Sequence, residues 1–272
     1  MLYVNTNNKF QTYTAFQALH TDLEINDGVI APLRLPVFSK KDLDKIYHLS
    51  PAAVISYVLR KFFYTEICVP DLEAIMADAF CSVEELDRKT LLVNIVDDFE
   101  KFENDVFNLL CQEDHTPSIW VRCAIRISVF TAIIAELRRN GLRKLDFAVN
   151  SDEICSIIPV LYCKIMGLPI EKIIIGASHE EGIWKYLHMC LEGTSGSYDY
   201  FLHGLSFVKD PKRFLNDLVS YIVSATRAGE IAANIKHSHG NFVTLGASFS
   251  YGALQDHRAI TGENGKTIVF NA

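Results

Sequence analysis

The sequence predicts an α/β protein in two parts: an N-terminal helical subdomain over residues 1–86, then a reduced, mostly parallel sheet flanked by helices over residues 87–272. Three observations carry this. Before residue 86 the segments show helix start signals with little strand. From Leu91 onward, strand and helix patterns alternate, the rhythm of parallel βαβ units. The strands of this second part are continuous apolar runs such as "TLLVNIV" (90–96), as expected of strands buried on both faces.

Taken in order, "YVNT" near the start and "GVIAP" (28–32) are short extended pieces. Ser39 is placed to cap a helix, with Asp42 three residues on where a capping box would carry Glu or Gln. Ser50-Pro51 opens a second helix with Val54, Ile55, Val58, Leu59 and Phe62 on one face, and a third follows Pro70. After strand 90–96, Asp97-Asp98 caps a helix bearing Phe99, Phe102, Val106, Phe107 and Leu110. The helix after Thr116-Pro117 runs to about Arg139, where Asn140-Gly141 ends it in a left-handed turn. Strand Leu145–Val149, helix Glu153–Met166, turn Gly167-Leu168-Pro169 and strand Lys172–Ile175 form one right-handed crossover. Beyond a loop at Leu191–Tyr200, a helix over Pro211–Thr226 is expected, then a Gly-punctuated region, a helix around Tyr251–Ile260 and a last strand Thr267–Phe270.

Composition narrows function by exclusion. The 272 residues, 49% hydrophobic and 22% charged, can bury a sizeable core. A net charge of −7, with no Lys/Arg run longer than two, argues against nucleic acid. The most apolar stretch, Ile119–Leu137, is broken by Arg122 and Arg126, so no membrane span is expected. The start lacks the basic-then-apolar order of a signal peptide. Seven cysteines without a C-x-x-C pair read as core thiols in a reducing cytoplasm.

Five pieces of the chain, in the right order, resemble threonine synthase, a pyridoxal-phosphate enzyme of the tryptophan-synthase β-like group (fold type II). They are the opening "YVNTNNKF" with "FQALHTDLEINDGVIAPLRLPVFSKKDL", then "LLVNIVDDFEKFENDVFNLL", "PSIWVRCAIRISVF", the crossover with "KIMGLPIEKIIIGA", and "SYGALQDHRAITGENGKTIVFNA". The resemblance implies a threonine-synthase-like subdomain at 1–86 and, at 87–272, an α/β domain from which the cofactor-lysine block is deleted. The family's "H-G-P-T-x-x-F-K-D" segment, whose lysine forms the Schiff base, belongs between Cys81 and Thr90, where "FCSVEELDRKT" runs straight on. Lys89, the one lysine at that junction, matches on neither side and reads as a surface residue.

Other departures agree. Where the family has a Gly-rich phosphate turn, this chain has Asn150-Ser151-Asp152-Glu153, a vestigial turn whose carboxylates suit a helix N-terminus and would repel phosphate by roughly 1–4 kcal/mol each at contact. The family's "D-P-H-T-A" corresponds to Leu245-Gly246-Ala247-Ser248-Phe249, and the Asn of its "S-I-N-W-A-R" has no counterpart at Ile119-Trp120. Without its lysine the aldimine chemistry cannot run. The expectation is a catalytically inactive, threonine-synthase-like protein with a binding or interaction role and no bound cofactor. The alternative is a pyridoxal-phosphate lyase that recruits another lysine or is completed by another chain. Loss of a half-domain would uncover apolar surface, which predicts a homodimer.

Other candidates are weaker. His237 and His239 would point one way if they lay on a strand, as a metal pair needs, but no third ligand is near and a polar loop is the preferred reading. Thr194-Ser195-Gly196-Ser197 could form an anion nest, and His179-Glu180-Glu181 an acid–base cluster, yet a loop and a solvated helix start explain them as well.

Overall fold

The computed structural model describes residues 1–8, 10–20, 29–77, 81–95, 99–111, 117–150, 154–178, 203–204, 206–240 and 243–271. The first part holds a three-stranded antiparallel sheet in the order β2–β1–β3, made of β1 (Leu2–Asn5), β2 (Thr12–Thr14) and β3 (Ile30–Pro32). Around it lie α1 (Ala15–His20), α2 (Lys40–Ile46), α3 (Pro51–Phe63) and α4 (Val69–Met76). The Ser39–Asp42 box is complete: Ser39 Oγ accepts the Asp42 N–H at 3.1 Å and the Asp42 carboxylate accepts the Ser39 N–H at 2.9 Å. Asp is therefore long enough to close a box usually built with Glu.

The second part is a six-stranded sheet in the order β4–β5–β9–β6–β7–β8. Its members are β4 (Cys81–Asp87), β5 (Thr90–Ile95), β6 (Leu145–Asn150), β7 (Ile170–Ala177), β8 (Leu218–Ile222) and β9 (Thr267–Asn271). Only β4 runs antiparallel. Alternate residues serve opposite faces, which is why the runs are apolar throughout. Val93, Phe147, Val149, Ile173, Ile175, Ile268 and Phe270 belong to one core; Leu92, Ala148, Ile174 and Val269 belong to the other.

The first face is covered by α5 (Phe99–Cys111), α6 (Ile119–Arg139) and α7 (Ile154–Ile165). The second face lies under α9 (Ala225–His239) and α10 (Leu245–Thr261), which follow the short α8 (Pro211–Leu215). α6 is buried almost all round because it also carries the first subdomain. Trp120 packs edge-on against Tyr3 (6.2 Å), Phe62 (5.6 Å) and Tyr162 (5.8 Å), joining β1, α3, α6 and α7 in one aromatic knot. Beside it Glu103, fully buried on α5, bonds Arg122 and Arg126 of α6. Among the described residues no helix is long and apolar enough to cross a membrane.

Three expectations change. Residues 81–87 form a strand that pairs with β5 in a tight hairpin, so the 86/87 division falls inside that hairpin. The single helix expected at Pro211–Thr226 is α8, then β8, then a new helix capped by Ser224, whose Oγ accepts the Arg227 N–H at 3.2 Å. "LVSYI" is β-branched and aromatic enough for the strand state to prevail. The Gly-punctuated region is largely helix α9: Gly229 is tolerated because Ala228, Ile231 and Ile235 give a buried stripe, and Gly240, at φ 74°, ends the helix.

Candidate functional site

In an open parallel sheet, ligands sit beyond the carboxyl ends of the strands. Three strands end there on asparagine or one residue short of the end: Asn94 in β5, Asn150 in β6 and Asn271 in β9. Register sets Asn94 beside Asn271 and Asn150 beside Gly176.

Asn94 and Asn271 are joined in a continuous hydrogen-bond chain. Asn94 Nδ2 donates to Ser82 Oγ (3.1 Å) and Glu84 Oε1 (3.2 Å) on β4. Asn271 Nδ2 donates to Asn94 Oδ1 at 2.7 Å, and Asn271 Oδ1 accepts the backbone N–H of Thr244 at 2.7 Å. Thr244 caps α10, its Oγ1 accepting the Ala247 N–H at 3.2 Å. In the next turn the hydroxyls of Ser248 and Ser250 donate to the carbonyls of Thr244 (3.0 Å) and Gly246 (3.1 Å) of their own helix. Among the described residues at this end, Ser82, Glu84, Asn94, Asn271 and Thr244 are thus bonded to one another, from the edge strand β4 to the helix N-terminus.

Helix α10 approaches unusually closely. A Cβ at Gly176, near the end of β7, would lie 2.3 Å from the Phe249 carbonyl oxygen and 2.8 Å from the Ser250 nitrogen. Only glycine admits helix backbone to strand backbone at that distance.

Of the expected turn, Asn150 is described and buried, at 7% exposure; Ser151, Asp152 and Glu153 lie outside the described residues, as do His179-Glu180-Glu181 and the Thr194–Ser197 nest. Lys89 lies in the β4–β5 turn, at the amino end of β5 and so at the opposite end of the sheet from Asn94. There Arg258 of α10 bonds Thr90 Oγ1 (2.8 Å) and the Lys89 carbonyl (3.0 Å) and lies 3.5 Å from the Asp87 carboxylate. Burial pushes the Asp87 carboxyl up, but hydrogen bonds from Thr90 and the Lys89 N–H, with Arg258 alongside, outweigh this and hold it below its usual value.

His237 and His239 occupy the last turn of α9, neither the expected polar loop nor a strand, so two residues turn them about 200° apart and their rings diverge. Among the described residues no group of three metal-ligating side chains is assembled. His203 is buried with its Nε2 2.8 Å from the Pro32 carbonyl, and His257 is buried beneath α10 between Tyr221 (2.9 Å) and Glu263 (3.1 Å). The asparagine chain escaped sequence reading. Its signal was a polar amide at the end of an apolar strand, repeated three times.

No protein-family model and no curated protein matches the chain. Solved structures do match. Threonine synthase from Escherichia coli superposes with a TM-score of 0.74 at 13% identity, covering 100% of this chain and 88% of that one. A PLP-bound threonine synthase from Brucella melitensis gives 0.70 at 12% identity, covering 100% and 88%, and the yeast enzyme 0.67 at 12%, covering 99% and 86%. The chain therefore has a threonine-synthase-like fold.

Proposed function

We propose that this protein keeps the threonine-synthase-like fold without its catalysis and acts by binding a ligand or partner. The observation that carries the reading is the closed chain Ser82/Glu84–Asn94–Asn271–Thr244 across the carboxyl ends of β4, β5 and β9: side chains and a helix N-terminus that could face a cofactor are bonded to each other. The described residues fit pyridoxal phosphate poorly. The family's lysine segment is missing from the sequence, and the lysine at the junction, Lys89, is at the wrong end of β5. In the sequence, the acidic pair Asp152-Glu153 stands where the family's phosphate turn would be, and two carboxylates there would oppose a phosphate dianion.

The alternative, a residual pyridoxal-phosphate lyase, draws on the Brucella melitensis neighbour, which is PLP-bound. Incubation with pyridoxal phosphate followed by borohydride separates the two. The proposed reading expects no stable label, and stoichiometric labelling of one lysine would overturn it.

We also infer self-association. Val83, on the edge strand β4 where the family's missing segment belongs, is exposed at 41%, and a second copy would cover that side of the sheet. Glu84, Glu85 and Asp87 make the β4 edge acidic, so pairing would use faces rather than strand edges. Sedimentation as a monomer at micromolar concentration would refute this. Cys81 forms no disulfide, and burial pushes its thiol up to about 11, which fits an unreactive thiol in a reducing cytoplasm.

A further inference from the structure

At the amino edge of the six-stranded sheet, opposite the asparagine chain, lies an open hollow of about 810 Å³. It is bounded by the loop before β6, the start of β7 and the turn after α10. Charged side chains dominate its lining, and most of them neutralise each other. Lys144 pairs with Glu171, Lys164 with Asp217 at 3.1 Å, and Lys172 with Glu263.

Two charges are left over, and they are of opposite sign. Asp146 is only 9% exposed. Its Oδ1 accepts the Lys172 N–H at 3.1 Å, but its Oδ2 accepts no hydrogen bond from any described residue. That oxygen packs closely against Gly265, where a Cβ would lie 2.3 Å from it. Burial pushes this carboxyl up from its usual value, and the Lys172 N–H with the Lys172 and His257 charges only partly offsets it. Arg143 lines the same hollow, is exposed, and forms no ion pair among the described residues.

We propose that this hollow binds a small zwitterionic aminocarboxylate, an α-amino acid or close analogue, its ammonium donating to Asp146 Oδ2 and its carboxylate gripped by Arg143. A simple anion or a simple amine would satisfy one leftover charge and strand the other, whereas a zwitterion satisfies both. Guanidinium binds carboxylate through two parallel hydrogen bonds, which suits Arg143 to the second half of that task. Because the hollow is open to solvent, the ligand's own side chain stays largely outside, so recognition rests on the charged ends and tolerates different side chains. The site is remote from the asparagine chain, and its failure would leave the proposed function untouched.

The test is NMR titration of the full chain with glycine, L-alanine and L-glutamate, and with acetate and methylammonium as half-ligands. All three amino acids should shift the Gly265 and Lys172 amides, with acetate and methylammonium at least about tenfold weaker. Asp146→Asn, which keeps the shape, and Arg143→Ala, at an exposed position, should each weaken amino-acid binding about tenfold or more while the rest of the spectrum stays folded. The proposal is overturned if no amino acid shifts those amides at concentrations on the order of 50 mM, a range that would already register a very weak site. It is equally overturned if acetate or methylammonium binds as well, or if both variants bind like the parent.

Discussion

Gly176→Ala is a direct probe of how α10 is seated on the carboxyl end of the sheet. The added methyl would meet three backbone atoms, the Phe249 oxygen at 2.3 Å, its carbon at 2.5 Å and the Ser250 nitrogen at 2.8 Å. A side chain could rotate away, but a helix backbone must be lifted. Overpacking costs roughly 1–3 kcal/mol, and the rigid neighbours place this case at the upper end, about 3 kcal/mol. Gly229→Ala is the matched control. It lies inside α9 with nothing within 4 Å of the new methyl, so it should stabilise by about 1 kcal/mol through helix propensity. In urea unfolding, with a slope near 3 kcal/mol/M, the midpoint should fall by about 1 M for the first variant and rise by about 0.3 M for the second. If Gly176→Ala stays within about 0.5 kcal/mol of the parent, the backbone approach is not a constraint and the account of α10 is wrong.

Glu103→Gln keeps the shape of a fully buried side chain but leaves Arg122 and Arg126 facing a neutral amide, and should cost about 3 kcal/mol in denaturant unfolding. Asn271→Ala removes the centre of the hydrogen-bond chain, leaving the Thr244 N–H and the Asn94 carbonyl without it; a loss of about 2 kcal/mol and faster amide exchange at Thr244 are expected. Asp42 is held well below the usual carboxylate range by Lys61 first, then Ser39 and Tyr57. Its folded pKa lies below the unfolded value of about 3.9, so its contribution is complete above that pH and disappears as pH falls towards the folded pKa. The stability gap between the parent and Asp42→Asn should therefore be constant near neutrality and shrink below about pH 4, and a gap independent of pH would refute the pairing.

Much of the fold could be read from residues whose local and tertiary demands coincide. "TLLVNI" and "LDFAVN" are apolar on both sides because helices cover both faces, and Ser39, Ser50 and Gly141 mark helix ends through backbone geometry that neighbours do not override. The reading failed where context decided. "CSVEELD", counted almost wholly within the helical subdomain, becomes a strand because the exposed edge of β5 offers it a ladder. "LVSYI" lost its helix to the matching edge of β7. The fold type emerged from the order of weak matches, whereas the asparagine chain depends on registers that no local pattern encodes. His237 and His239 show a different dependence on context: the faces they occupy are set by whether the backbone repeats every two residues or, as in α9, every 3.6.

The strand order has a consequence for biosynthesis. β9, last of the described strands in sequence, is inserted third in the sheet, between β5 and β6. Until residues 267–271 emerge, those two strands have no partner on their inner sides, and the nascent chain presents two raw apolar edges. Completion of the sheet therefore waits for a strand distant in sequence from β5, and a ribosome-stalled chain ending before residue 267 should remain a client of holding chaperones however long it waits.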